Sequence, residues 1–128
     1  ERDGLRSLGT SYLSLALAED RGSFSTLLKS EGIPDPKFGG VWKAAHAEDL
    51  SRELGFPLLV RPSYVLGGQR MKIVINEQDL QHHVIDILRD MPDNKILLDH
   101  FLDGAIECEA DAICDGDEVR IVGIMQHI

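Results

Sequence analysis

An α+β domain, with a helical opening and a sheet-rich remainder, is predicted by three features of this 128-residue sequence. Stretches with helical apolar spacing follow good capping residues at Asp20 and Asn76. Short apolar runs, LLVR at 58–61, MKIVI at 71–75 and ILLDHFL at 96–102, read as strands. Two further segments, Glu107 to Cys114 and Val119 to Gln126, flank CDGDE, whose Asp115-Gly116 step is a two-residue turn signal that predicts a hairpin.

Taken in order, a short helix is predicted over Ser11 to Ala18, with Leu13 and Leu17 one turn apart. Asp20 then caps a helix in which Phe24, Leu27 and Leu28 share a face and Gly32 closes the end. The segment IPDPKFGG, Ile33 to Gly40, holds two prolines and two glycines and reads as a connector. It sets the expected division of the chain, 1–40 and 41–128. A helix over His46 to Leu54 turns Ala47, Leu50 and Leu54 inward and stops at Gly55. Pro57 introduces LLVR, a continuous apolar run of the kind buried on both faces, and MKIVI is its partner strand. Asn76 caps a helix with the stripe Leu80, Val84, Ile87 and Leu88, ended by Pro92 and Asp93. No internal repeat or low-complexity segment interrupts this order.

With 43% hydrophobic and 27% charged residues, the chain is globular and long enough to bury a core. A net charge of -9 argues against a general nucleic-acid binder, which needs a surplus of Lys and Arg to displace counterions. No apolar run approaches the roughly 20 residues of a membrane span, and no signal-peptide pattern appears, so a soluble, cytoplasmic protein is expected. The start at Glu1 and the apolar ending GIMQHI suggest a piece of something longer. Cys108 and Cys114 lie six apart on one expected strand face and read as small reduced core residues. His82 and His83 read as surface residues beside an apolar stripe. Metal-ligand spacings, GxSxG and a Cys/His nucleophile pair are all missing, so no catalytic or metal-ligating residue is assigned.

Four groups of residues can meet a ligand. Arg61 ends an apolar strand, where a guanidinium is costly unless an anion meets it. That anion is either a phosphate or one of the chain's many carboxylates. Gly67 and Gly68 lack β-carbons, so their backbone can approach a ligand, although a plain hairpin needs the same residues. In an extended LLDHFL, the carbonyl of His100 and the N–H of Leu102 point to one side and match the edge of adenine. Any strand end offers such a pair. Glu107, Glu109 and Asp111 share a strand face, either a solvated one or one whose Glu107 accepts hydrogen bonds from ribose hydroxyls.

Together LGTS, AEDRGSF, GFPLLVRPSYVLGG, LLDHFLDGAIECEADAICDG and GIMQHI, from about Leu8 to the end, resemble the large subunit of carbamoyl phosphate synthetase, an ATP-grasp ligase. SYVLGG and LLDHFLD resemble its second, carbamate-phosphorylating half. The resemblance implies a partial ATP-grasp fold. Residues 1–40 would end a pre-ATP region and form a helical segment, and 41–128 would supply the lid subdomain and first strands of the ATP-binding sheet. It implies Arg61 on the phosphates of ATP, His100 and Leu102 on adenine through their backbones, and Glu107 on the ribose. Gly67 and Gly68 would form a flexible loop over the phosphates, and Arg21 matches an arginine used near them. Gln69 and Arg70 depart from the family's Arg then Ala, and Gln126 stands where Glu is usual.

The implied cofactors are ATP and Mg2+ or Mn2+, with the metal ligands outside this chain, and the implied partner is a glutaminase small subunit. On its own the chain is expected to be inactive. Biotin carboxylases and purine-pathway carboxylate–amine ligases are the rival ATP-grasp readings, but they carry lysine where this chain has Arg61. A nucleotide-binding module without chemistry is the rival from another class.

Overall fold

The computed structural model describes residues 9–63 and 69–128. The chain forms two compact units that divide between Lys37 and Phe38.

In the first unit, α1 (Tyr12–Glu19) starts at Ser11, whose hydroxyl oxygen accepts from the Ser14 amide at 3.1 Å. Helix α2 (Arg21–Ser30) starts at Asp20, whose Oδ1 accepts from the Ser23 amide at 2.8 Å. Gly32, with φ 68, turns the chain out of α2 while the Ile33 amide donates to the Leu28 carbonyl. The expected apolar face of α2 is only partly enclosed. Ser25 is the buried residue, Phe24 and Leu28 are half-buried, and Leu27 is exposed. Helices of 8 and 10 residues offer too little area to enclose a full stripe.

The second unit contains β1 (Phe38–Val41), α3 (Ala44–Leu54), β2 (Leu58–Pro62), β3 (Lys72–Val74), α4 (Glu77–Asp90) and β4 (Ile96–His100). These four strands form one antiparallel sheet in the order β1-β4-β2-β3. Leu58, Val60, Val74, Ile96 and Leu98 of the sheet pack with Ala47 of α3 and Leu80, Val84 and Ile87 of α4 in one core. Asn76 caps α4 as its sequence predicts, accepting from the Asp79 amide at 2.8 Å. Helix α3 begins at Ala44, two residues before the predicted start, because Lys43 at its N-cap makes no side-chain cap bond that could mark it.

Strand β1 corrects the reading of 33–40 as a connector throughout. Phe38, Gly39 and Gly40 pair with Asp99, Leu98 and Leu97. A Cβ on Gly39 would lie 2.6 Å from Leu50 Cδ2, and one on Gly40 would collide with Lys95 Cε. The two glycines therefore let neighbours lie against the strand instead of turning it. Strand β2 is also corrected. Leu58, Val60 and Pro62 are buried while Leu59 and Arg61 are half-buried, so one face is sealed and not both.

Strands β5 (Cys108–Cys114) and β6 (Val119–Gln126) make a separate two-stranded sheet. They are joined by four residues, Asp115 to Glu118, where a two-residue turn is predicted. The Asp115 side chain explains the longer loop: its Oδ1 accepts from the Glu118 amide at 2.9 Å and the Asp117 amide at 3.0 Å. Those two amides, Glu118 first, hold its carboxyl below the ordinary aspartate range. Every residue of β5 is exposed. Cys108 and Cys114 are accordingly free, exposed thiols and not core residues, because a lone two-stranded ribbon has no second layer to bury them. Among the described residues, no helix is long and apolar enough to cross a membrane.

Candidate functional site

Strand alternation gives the four-stranded sheet two unlike faces. Residues 58, 60, 96 and 98 face the helices. Leu59, Arg61, Leu97 and Asp99 therefore occupy the opposite face, where Leu59 opposes Asp99 and Arg61 opposes Leu97. Arg61 Nε donates to Asp99 Oδ2 at 3.2 Å, a diagonal contact between β2 and β4. The Asp99 side chain is 10% exposed and that of Arg61 33% exposed. This is a cation anchored on one side and open on the other. Lys95 lies on the same face, its side chain crossing Gly40. The sequence alone leaves open whether Arg61 meets a carboxylate, and the structure identifies Asp99 as one that it does meet.

The register also places the backbone groups of His100. The Phe101 amide donates to the Pro57 carbonyl at 3.0 Å, and the Ser63 amide donates to the Lys95 carbonyl at 2.8 Å. In an antiparallel ladder, the odd-numbered residues of β4 thus bond toward β2, and the even-numbered ones point the other way. The carbonyl of His100 lies on the β1 side, one residue past the Asp99–Phe38 pair that ends β1. Leu102 lies past the end of β4, where the Asp103 amide donates to the Phe101 carbonyl at 3.1 Å and the Ala105 amide to the Leu102 carbonyl at 3.3 Å. The His100 ring lies on the helix-facing side, where its Nδ1 is buried without a hydrogen-bond partner among the described residues.

Glu107 leads into β5 and is held by the opposite strand's end. Its carbonyl accepts from the His127 amide at 2.9 Å. The His127 ring lies between two carboxylates, with Nδ1 3.8 Å from Glu107 Oε2 and Nε2 3.2 Å from Glu109 Oε1. Glu107 thus pairs with His127 and not with Arg61. Arg21 is the first residue of α2, in the first unit. Gly67 and Gly68 lie outside the described residues. Arg70, at φ 60, pairs with Asp90, and its carbonyl meets His83 Nε2 at 2.9 Å. His83 is therefore engaged, while His82 is exposed. Two surface cavities, at Met91 to Asn94 and around Ile113, Asp115, Glu118, Arg120 and Val122, contain none of the predicted site residues.

Asp99 and His127 escape sequence reasoning. The Asp99 contact depends on the offset between two strands 38 positions apart, which no local pattern encodes. A regular hairpin closed at 115–118 would carry residue 107 opposite 126; the register shift between Asp111 and Ala112 moves its partner to His127, and no local pattern encodes that shift.

The family described as "Carbamoyl-phosphate synthase L chain, ATP binding domain" matches residues 20–126. Carbamoyl phosphate synthase large chains from Rubrobacter xylanophilus and Archaeoglobus fulgidus are 48% and 49% identical over all 128 residues. The chain spans 12% of the length of each. Among solved structures, biotin carboxylase from Campylobacter jejuni superposes with a TM-score of 0.80 at 21% identity, over 98% of this chain and 30% of that one. D-Alanine-D-alanine ligase from Helicobacter pylori gives 0.69 at 17% identity, over 87% and 35%. At those identities the structural likeness speaks for the fold alone, which is α+β and of the ATP-grasp kind. The match across most of the chain, with nearly half of its residues shared with two large chains, carries more: the chain belongs to the family of carbamoyl phosphate synthase large-chain ATP-binding domains.

Proposed function

We propose that this chain is the nucleotide-gripping part of a carbamoyl phosphate synthase large chain, in its carbamate-phosphorylating half. In the whole protein, a carbamate oxygen attacks the γ-phosphorus of ATP, the bond to the β-phosphate bridging oxygen breaks, and carbamoyl phosphate and ADP result. Ammonia for the carbamate comes from glutamine through a small glutaminase subunit, in the cytoplasm. Residues 1–40 close a pre-ATP region and form the helical segment, and 41–128 form the lid subdomain and the first strands of the ATP-binding sheet.

Within that reaction, the residues of this chain bind and orient. The outward part of the Arg61 guanidinium meets phosphate oxygens, since its Nε is already committed to Asp99. Arg21 adds charge near the phosphates, and the loop with Gly67 and Gly68 covers them and excludes water. The His100 carbonyl accepts from the adenine amino group, and the Leu102 N–H donates to the ring nitrogen beside it. Glu107 accepts from the ribose hydroxyls. Phosphoryl transfer gains its rate from such positioning and charge stabilisation. Among the described residues, no three His, Cys, Asp or Glu side chains converge to hold a metal. Mg2+ or Mn2+ would be held by ligands outside this chain and enters no step here.

The family match over residues 20–126 is the observation that carries this reading. An ATP titration followed by backbone amide shifts tests it. Peaks of Arg61, Gly67, Gly68, Leu102 and Glu107 should move together; if those stay still while others shift, the site is misplaced.

A further inference from the structure

Asp99 is the one acidic residue among the buried side chains of the described residues, at 7% exposure. A carboxylate so placed is expensive unless a cation compensates it. Arg61 supplies that cation through Nε, at 3.2 Å. The choice of nitrogen matters. A bond to Nε restrains the plane of the guanidinium and uses none of its four Nη–H donors. Among the described residues, Asp99 is the only ion-pair partner of Arg61. Asp99 is also next to His100, whose carbonyl lies on the β1 side of β4. A single step of β4 thus holds the arginine by a side chain and offers the acceptor by a main chain.

We propose that Asp99 is a positioning residue that aims Arg61 at the triphosphate and fixes its distance from the adenine edge. This rests on the reading that Arg61 grips phosphate. The buried pair is then part of the binding device, and its carboxylate acts on ATP only through the arginine.

The test measures ATP and adenosine affinity in the full chain encoded by the gene, for Asp99→Asn, Arg61→Ala and the double variant. Asp99→Asn should weaken ATP about ten-fold, the size expected for a charged hydrogen bond, and leave adenosine unchanged. In the Arg61→Ala background, Asp99→Asn should cost ATP nothing further. Equal losses for ATP and adenosine, or additive losses in the double variant, would overturn the positioning role. If Arg61→Ala itself spares ATP binding, the phosphate reading of Arg61 fails first and takes this inference with it. Should Asp99→Asn not fold, Asp99→Leu fills the same buried position without an unpaired polar group and faces the same comparisons.

Discussion

A single carboxyl shapes the tip of the β5–β6 hairpin. Asp115 accepts the Glu118 and Asp117 amides, and these bonds depress its titration. A group lowered in the folded state adds stability above its unfolded value and loses that contribution as pH falls through its folded value. The loop should therefore loosen only below the ordinary aspartate value of 3.8. Carboxyl NMR of Asp115 should show a midpoint under that value, and Asp115→Ala should abolish the acid-induced shifts of the Asp117 and Glu118 amides. A normal midpoint would contradict the cap. At this scale, much was legible. Asp20 and Asn76 declare their caps because a short oxygen-bearing side chain suits that job. The exposure of Cys108 and Cys114 was not legible, because a strand's sequence does not say whether a second layer covers it.

Among the elements, β4 carries the most. It is central in the sheet with β2, pairs on both edges, and divides its residues between core and open face. Leu98 is fully buried in the core, so Leu98→Ala should cost about 2–5 kcal/mol through lost burial and an unfilled cavity. Urea denaturation of the parent and the variant would measure this as a lowered midpoint with an unchanged slope. A loss near zero would mean that β4 is not the centre of the core. Strands with apolar runs announced themselves, as did the α4 stripe of Leu80, Val84 and Ile87. Strand β1 did not, since two glycines after a Pro-rich stretch look locally like a break. What makes them strand is Leu50 and Lys95 lying across them, a tertiary fact. The site divides in the same way. Arg61 and Glu107 are legible as charged residues near strand ends, whereas His100 and Leu102 offer only main-chain groups that any strand end shares. The Arg61–Asp99 contact depends on how two distant strands are offset.

The whole molecule joins a well-packed layer to a poorly covered one. The four-stranded sheet shares a core with α3 and α4, whereas β5 and β6 bond mainly to each other and stay exposed. Two strands without a packed face are marginally stable. Hydrogen exchange should therefore release the β5 and β6 amides well before those of Leu97 and Leu98, and equal protection would disprove the difference. Sequence patterning located the hairpin but could not foresee this imbalance, because the Ile-rich strands look equally well suited to a core. Ile113, Ile121, Val122 and Ile124 are each more than half exposed. On an outer strand with unpaired amides, such residues invite a second copy to add on edge to edge. Kept alone at high concentration, this stretch of polypeptide is thus a seed for clumping, which charged residues such as Glu109, Asp111 and Arg120 along the ribbon counteract.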